Sequence, residues 1–167
     1  EAGNKLSVVG RAGIGVDNID VPASSRRGVL VMNAPGGNSI TTAEHALSMM
    51  MSLARNIPQA THSMKSGRWE KSRFMGVELY EQTLGVIGLG NIGRLVAQRA
   101  LGLGMNVIAS DPYTSEQAAK KLGVELVSMD ALFQRSKFIT IHAPLTRDTK
   151  GLLNADAFAK MTPGVLL

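Results

Sequence analysis

Apolar residues along the chain switch between two spacings, and the switches mark out a series of short strands and helices. Leu6-Ser7-Val8-Val9 is an apolar, β-branched run broken by Gly10, Gly13 and Gly15. With the residues after it, this run predicts a strand–turn–helix–strand unit over residues 5–35. The helix of that unit covers about residues 22–27 and ends at Gly28, where glycine suits a helix C-terminus. Val29-Leu30-Val31-Met32 is its second, buried strand. Asn33-Ala34-Pro35-Gly36-Gly37 then ends regular structure, so residues 1–38 form one segment and residues 39–167 another. The second segment opens on the longest helix. Thr41-x-x-Glu44 has the form of a capping box, and Ala43, Ala46, Leu47, Met50, Leu53, Ala54 and Ile57 recur at three- and four-residue spacing. Met49 and Met51 widen the apolar arc, which predicts a helix lying between two layers or at a subunit interface. The methionines there read as packing, not as a metal or cofactor site.

From residue 83 the pattern becomes an alternation of strands and helices. Strands are predicted at 84–88, 105–110, 124–127 and 138–142, with helices at 92–101, 115–121, 129–135 and 155–160 between and after them. Such alternation implies an α/β fold, a doubly wound parallel sheet with right-handed crossovers.

Composition narrows the class. At 167 residues and 44% hydrophobic, the chain has enough apolar side chains for a sizeable core, and intrinsic disorder is excluded. It has no cysteine, which excludes a disulfide scaffold and fits a reducing, cytoplasmic setting. No apolar run approaches the roughly 18 residues of a membrane span. Glu1 stands where a start methionine would, and Gly164-Val165-Leu166-Leu167 reads as a strand cut as it begins. The chain is therefore expected to be an internal fragment of a longer protein. Its net charge of +5 is concentrated: residues 55–73 carry Arg55, Lys65, Arg68, Lys71 and Arg73 against Glu70 alone. That segment reads as a solvated face near a subunit contact, or as a patch drawing in an anionic substrate. It is too short and too poor in aromatics for nucleic-acid recognition.

The candidate chemistry follows the first strand of the alternating region. Gly88-Leu89-Gly90-Asn91-Ile92-Gly93 matches G-x-G-x-x-G, preceded by a hydrophobic strand and followed by an amphipathic helix. Gly88 permits the tight turn, Gly90 allows the backbone to approach a pyrophosphate, and Gly93 lets the helix pack on the sheet. Free N–H groups near Asn91 and Ile92 face the phosphates together with the positive end of the helix dipole. Asp111 ends the next strand, 21 residues beyond Gly90, where a carboxylate accepts the adenosine ribose hydroxyls. It repels a 2′-phosphate, and residues 112–115 include no arginine to receive one, so NAD is preferred over NADP. His142-Ala143-Pro144 follows the fourth strand and borders the cofactor, with His142 read as a wall residue and not as a catalytic base. His45 and His62 receive no role. No metal-ligand spacing and no G-x-S-x-G or cysteine nucleophile occurs.

With these residues in place, the chain resembles the NAD-dependent D-2-hydroxyacid dehydrogenases over essentially its whole length. The resemblance is carried further by Val9-Gly10-Arg11-Ala12-Gly13-Ile14-Gly15-Val16-Asp17, Asn33-Ala34-Pro35-Gly36-Gly37-Asn38-Ser39, Ala43-Glu44-His45, Leu53-Ala54-Arg55-Asn56-Ile57-Pro58, Gly67-Arg68-Trp69 and Thr149-Lys150-Gly151-Leu152-Leu153-Asn154. It implies a Rossmann-type NAD domain, incomplete here, preceded by the end of a flavodoxin-like substrate domain. A hydride would pass between NAD and C2 of a D-2-hydroxy acid. The substrate carboxylate would rest on backbone N–H groups around Ala12 and Gly13, with Ile14 touching the cofactor and Asn38 at the hinge near the substrate. Arg11 would suit a phosphorylated acid. The family's catalytic arginine, glutamate and histidine belong to motifs that none of these 167 residues matches, so no catalytic residue is assigned. A homodimer or higher oligomer is implied as well. Two further readings stay open: a hydroxypyruvate or glyoxylate reductase, and a non-catalytic NAD-binding module of the corepressor kind.

Overall fold

The computed structural model describes residues 4–167, so the first three residues of the predicted first segment, Glu1 included, lie outside the described residues. The chain divides between Thr41 and Thr42 into two compact units. In the first, β1 (Val8–Gly10) and β2 (Leu30–Met32) pair in parallel, Val9 opposite Val31. α1 (Val21–Arg26) forms the crossover between them, its start fixed by the Asp20 carboxylate, which accepts from Ala23 N at 2.8 Å. Pro22 sits in the first turn, where its missing N–H costs nothing. Gly28 follows the helix with φ +70°, as its place in the sequence predicts.

α2 (Ser39–Ala54) starts two residues before the predicted Thr41, and the capping box is not formed. The Glu44 carboxylate instead reaches Arg99 at 3.6 Å. The apolar spacing continues to Ile57, but the helix does not. Pro58 in a helix interior would lack the N–H donor and press its ring on the carbonyl four residues back, that of Ala54. The chain breaks there: Asn56 turns left-handed at φ 52°, and α3 (Ile57–Lys65) begins with Pro58 in its first turn. The freed Ala54 carbonyl accepts from Val77 N at 2.8 Å, so it is not orphaned. A short 3₁₀ turn, Lys71–Phe74, follows.

The sheet of the second unit holds β3 (Thr83–Ile87), β4 (Asn106–Ser110), β5 (Glu125–Leu126) and β6 (Phe138–Ile141) in the order β5-β4-β3-β6, all parallel. The helices are α4 (Asn91–Gly102), α5 (Glu116–Leu122), α6 (Met129–Arg135) and α7 (Ala155–Lys160). Alternate strand residues sort into two apolar layers. Leu84, Val86, Val107, Ala109 and Phe138 pack with Ala43 and Leu47 of α2 and Val96, Ala97 and Ala100 of α4. Ile87, Ile108 and Ile139 pack with Leu132 and Phe133 of α6 and Ala157 of α7. This is the expected doubly wound sheet, buried on both faces. Ser115, Ser128 and Asn154 cap α5, α6 and α7 through their side-chain oxygens. Leu166 adds one further parallel bridge, to Phe138 at the outer edge of β6.

Candidate active site

The strand order reverses at β3: the chain leaves it toward β4 and β5, then returns to its other side at β6. Parallel sheets bind ligands outside their carboxyl ends at such a point. Three loops meet there around a cleft of about 480 Å³, lined by Gly88 and Gly90 after β3, Asp111 after β4, and His142, Ala143 and Pro144 after β6.

The loop after β3 is shaped by its glycines for different reasons. Gly88 has φ +88°, and a Cβ on it would stand 2.8 Å from the His142 carbonyl oxygen, so both conformation and space demand glycine. A Cβ on Gly93 would come within 2.0 Å of the Gly88 carbonyl oxygen; its absence lets α4 seat on the strand. Gly90 differs. Its backbone is extended (φ −73°, ψ −158°), a conformation open to any residue, and a Cβ there would meet nothing within 4 Å. Neither backbone nor packing explains this glycine, which leaves open space at the start of α4. Asn91, Ile92 and Gly93 open α4, and their N–H groups find no partner among the described residues. Arg94, also in the cleft wall, donates through Nε to the Leu89 carbonyl at 2.8 Å.

Asp111 does more than its position in the sequence implies. Its Oδ2 accepts from Leu89 N at 2.5 Å, and its Oδ1 from Tyr113 N at 2.7 Å and Thr114 N at 3.0 Å. The carboxylate thereby ties the glycine loop to the loop after β4. An ionised carboxylate offers about four acceptor sites, so one, on Oδ2, is left for a ligand hydroxyl.

At the end of β6, His142 donates its backbone N–H to the Ile87 carbonyl at 2.8 Å, and its Nε2 is hydrogen bonded to Thr140 Oγ1 at 3.0 Å. Half-burial of the ring pushes its pKa below the usual histidine value. The loop beyond is braced by two threonines: Thr146 N donates to Thr149 Oγ1 at 2.7 Å, and that hydroxyl donates to the Pro144 carbonyl at 2.6 Å. The sequence alone assigns no individual role to Arg94, Thr140, Thr146 or Thr149. The x-x-Thr spacing of 146 and 149 was the available signal for the last pair; the contact of Arg94 depends on how the loop folds back.

The fit to a dinucleotide is good on chain geometry alone. Along the sheet edge stand Asp111 on β4, the glycine loop on β3 and His142 on β6. A carboxylate with one free acceptor site and a helix N-terminus with free donors beside an unfilled glycine match a ribose and a pyrophosphate, and the half-buried residues after β6 close the same cleft.

Of the other candidates, Arg11, Ala12, Gly13 and Ile14 form a loop after β1 in the first unit. Arg11 Nη1 donates to the Gly15 carbonyl, and Asn33 Nδ2 donates to that of Ile14 at 2.8 Å. Gly13 N is taken by the Arg11 carbonyl at 2.9 Å, whereas Ala12 N and Ile14 N have no backbone acceptor among the described residues. Asn38 immediately precedes α2. In the basic segment Glu70 accepts from Ser63 Oγ at 2.7 Å and pairs with Arg73 at 3.2 Å and Arg68 at 3.8 Å. The serine hydroxyl and then the two arginines hold this carboxyl below its usual range. Among the described residues no three histidines or carboxylates gather as a metal site, and no helix is long and apolar enough to cross a membrane.

Comparison with known proteins places these features. Residues 47–167 match the family described as D-isomer specific 2-hydroxyacid dehydrogenase, NAD binding domain. A D-3-phosphoglycerate dehydrogenase from Synechocystis sp. is 52% identical over 163 residues, 98% of this chain and 29% of that protein. Among solved structures, the apo D-lactate dehydrogenase from Escherichia coli superposes with a TM-score of 0.87 at 37% identity, over 96% of this chain and 50% of that one. D-lactate dehydrogenase from Aquifex aeolicus, complexed with NAD and lactic acid, superposes with a TM-score of 0.85 at 31% identity, over 96% and 48%. The chain thus spans less than a third of the curated relative and no more than half of either solved structure.

Proposed function

Because the chain belongs to the D-isomer specific 2-hydroxyacid dehydrogenases, we propose that the whole protein transfers a hydride between NAD and 3-phospho-D-glycerate, yielding 3-phosphooxypyruvate at the head of serine biosynthesis. The observation that carries the substrate is the 52% identity to a D-3-phosphoglycerate dehydrogenase, against 37% and 31% to two D-lactate dehydrogenases. In this reading residues 1–38 close the first segment of a substrate domain and residues 39–167 belong to the NAD domain. The protein works in the cytoplasm as a homodimer or higher homo-oligomer, and the exposed Trp69 within the basic segment and Met75 just after it are the apolar surface such a contact would cover.

NAD, when bound, supplies the hydride acceptor. The chain's residues bind and orient it. Asp111 accepts from the adenosine ribose and repels a 2′-phosphate; the first-turn N–H groups of α4 hold pyrophosphate oxygens over Gly90. His142, Ala143 and Pro144 wall the cofactor. In the first unit Ala12 N donates to the substrate carboxylate, Arg11 favours a phosphorylated acid, and Ile14 and Asn38 complete the assignment. No residue here moves the hydroxyl proton. His142 is driven toward its neutral form with Nε2 engaged, and His45 and His62 lie on α2 and α3.

The deciding experiment is kcat/KM of the full-length polypeptide on 3-phosphoglycerate, D-lactate and D-glycerate. Preference for the phosphorylated acid is expected; equal use of all three would overturn the substrate, leaving the reductase readings. The purified 167-residue chain should show no measurable turnover, and a reproducible kcat from it would refute the assignment of proton transfer to residues outside it.

A further inference from the structure

NAD carries a negatively charged diphosphate, and Arg94 is the lone lysine or arginine among the described residues that line the cleft. His142 is no substitute, because half-burial drives its ring toward the neutral form. The two carboxylates of the cleft wall, Asp111 and Asp148, do not claim the arginine: it enters no ion pair among the described residues. Asp111 faces three backbone N–H groups instead. The side-chain bond that Arg94 does make runs from Nε to the Leu89 carbonyl at 2.8 Å. Leu89 adjoins Gly90, so this bond lays the guanidinium against the glycine loop, in the direction a helical side chain leans, toward the start of its own helix. The space over Gly90 stays open all the same, with no side-chain atom of Arg94 within 4 Å of a Cβ built there. Nε is one donor of a rigid fork, and the donors on Nη1 and Nη2 are unused among the described residues. A cation near the N-terminus of a helix is repelled by the helix dipole, and the first turn of α4 holds no acidic residue to offset it. An anion at the loop would.

We propose that Arg94 is the residue that neutralises the cofactor's diphosphate: Nε anchors the side chain to the Leu89 carbonyl, and the Nη donors bond phosphate oxygens beside Gly90. The inference rests on the NAD reading for the ligand and adds to it the side chain that meets the charge. The first-turn N–H groups of α4 set where the oxygens lie, and the guanidinium supplies the counter-charge in bonds of the stronger, charge-assisted kind. Its anchor on the loop leaves less side-chain freedom to be lost when the ligand arrives. Because Arg94 is exposed, its attraction for the diphosphate is open to screening by salt.

Two substitutions separate the charge from the anchor. The side-chain nitrogen of glutamine stands as many bonds from Cα as Nε of arginine, so Arg94→Gln keeps a donor for the Leu89 carbonyl and lacks the guanidinium charge. Arg94→Met has neither. The measurement is calorimetric titration with NAD, ADP-ribose and inorganic pyrophosphate at low and high salt. Both variants should lose about tenfold or more in affinity for NAD and ADP-ribose at low salt, the worth of a hydrogen bond to a charged group. Pyrophosphate binding should be lost with it, and the gap from wild type should narrow as salt rises. Arg94→Gln, a substitution at an exposed position, should keep Tm within about 3 °C of wild type, so lost affinity is not lost fold. Wild-type affinity in Arg94→Gln beside a loss in Arg94→Met overturns the charge role, since a loop anchor alone then accounts for the arginine. Unchanged affinity in both variants, or a loss equal at low and high salt, overturns the contact with the diphosphate. Wild type that binds neither NAD nor ADP-ribose refutes the NAD reading. In that event pyrophosphate binding that Arg94→Gln abolishes still supports the anion contact, and wild type that binds no pyrophosphate overturns it as well.

Discussion

Gly90 and Gly93 stand three residues apart and carry opposite consequences for substitution. Gly93→Ala drives a Cβ to 2.0 Å from a backbone oxygen that cannot move away, and overpacking of this kind costs about 3 kcal/mol or more. A fall in Tm of about 6 °C or more by calorimetry is expected. Gly90→Ala meets only open space in an ordinary backbone region, so Tm should hold or rise slightly while NAD affinity falls by about tenfold or more. A Gly90→Ala variant that binds NAD normally would remove the pyrophosphate from this loop. Asp111→Ala should lower both properties, since it strips three backbone donors of their acceptor, one of them on the buried Leu89. The motif made the glycines and Asp111 legible because turn, approach and packing impose residue types at fixed spacing. It could not reveal that Asp111 also holds Leu89, because that bond joins loops 22 residues apart and exists only once β3 and β4 are neighbours.

Helices and strands were legible wherever the local period matched the layer they enter. α6 and α7 begin and end where the pattern puts them, each opened by a side-chain cap. Ser128→Ala should cost about 1 kcal/mol, read from urea denaturation, because the N–H of Ala131 loses its acceptor. The misreadings have local causes. The third strand shrinks to Glu125–Leu126 because Val124 donates to the Ala119 carbonyl, closing α5 around Gly123 in its left-handed turn. The long apolar helix divides because one proline outweighs a continuous stripe. The capping motif at Thr41 was a coincidence of spacing: Glu44→Ala should cost no more than about 0.5 kcal/mol, the worth of a part-exposed pair with Arg99, and not the larger loss of a cap. A loss above 1 kcal/mol would restore a capping role.

At the scale of the whole molecule, pH acts through His142. Half-burial lowers its pKa in the folded chain, so below about 6.5 the unfolded chain takes up a proton that the folded chain refuses. Stability should therefore fall as pH drops from about 6.5 to the lowered folded value, and the contribution should be absent above that window. The difference between wild-type and His142→Asn denaturation midpoints across pH 5–8 isolates it; a difference independent of pH would contradict the burial of the ring. The α/β order of the second unit was readable because both faces of its sheet are covered, which demands alternation. Among its described residues the first unit yields two short strands and a helix, too little pattern to fix a substrate by itself. What remains central is the proposal that the cleft takes NAD with its adenosine ribose on Asp111. The most direct measurement is calorimetric titration of wild type and Asp111→Ala with NAD and NADP. The account predicts that wild type binds NAD at least about tenfold tighter than NADP and that the variant loses this preference. Equal affinities in the wild type, or an unchanged preference in the variant, would contradict it.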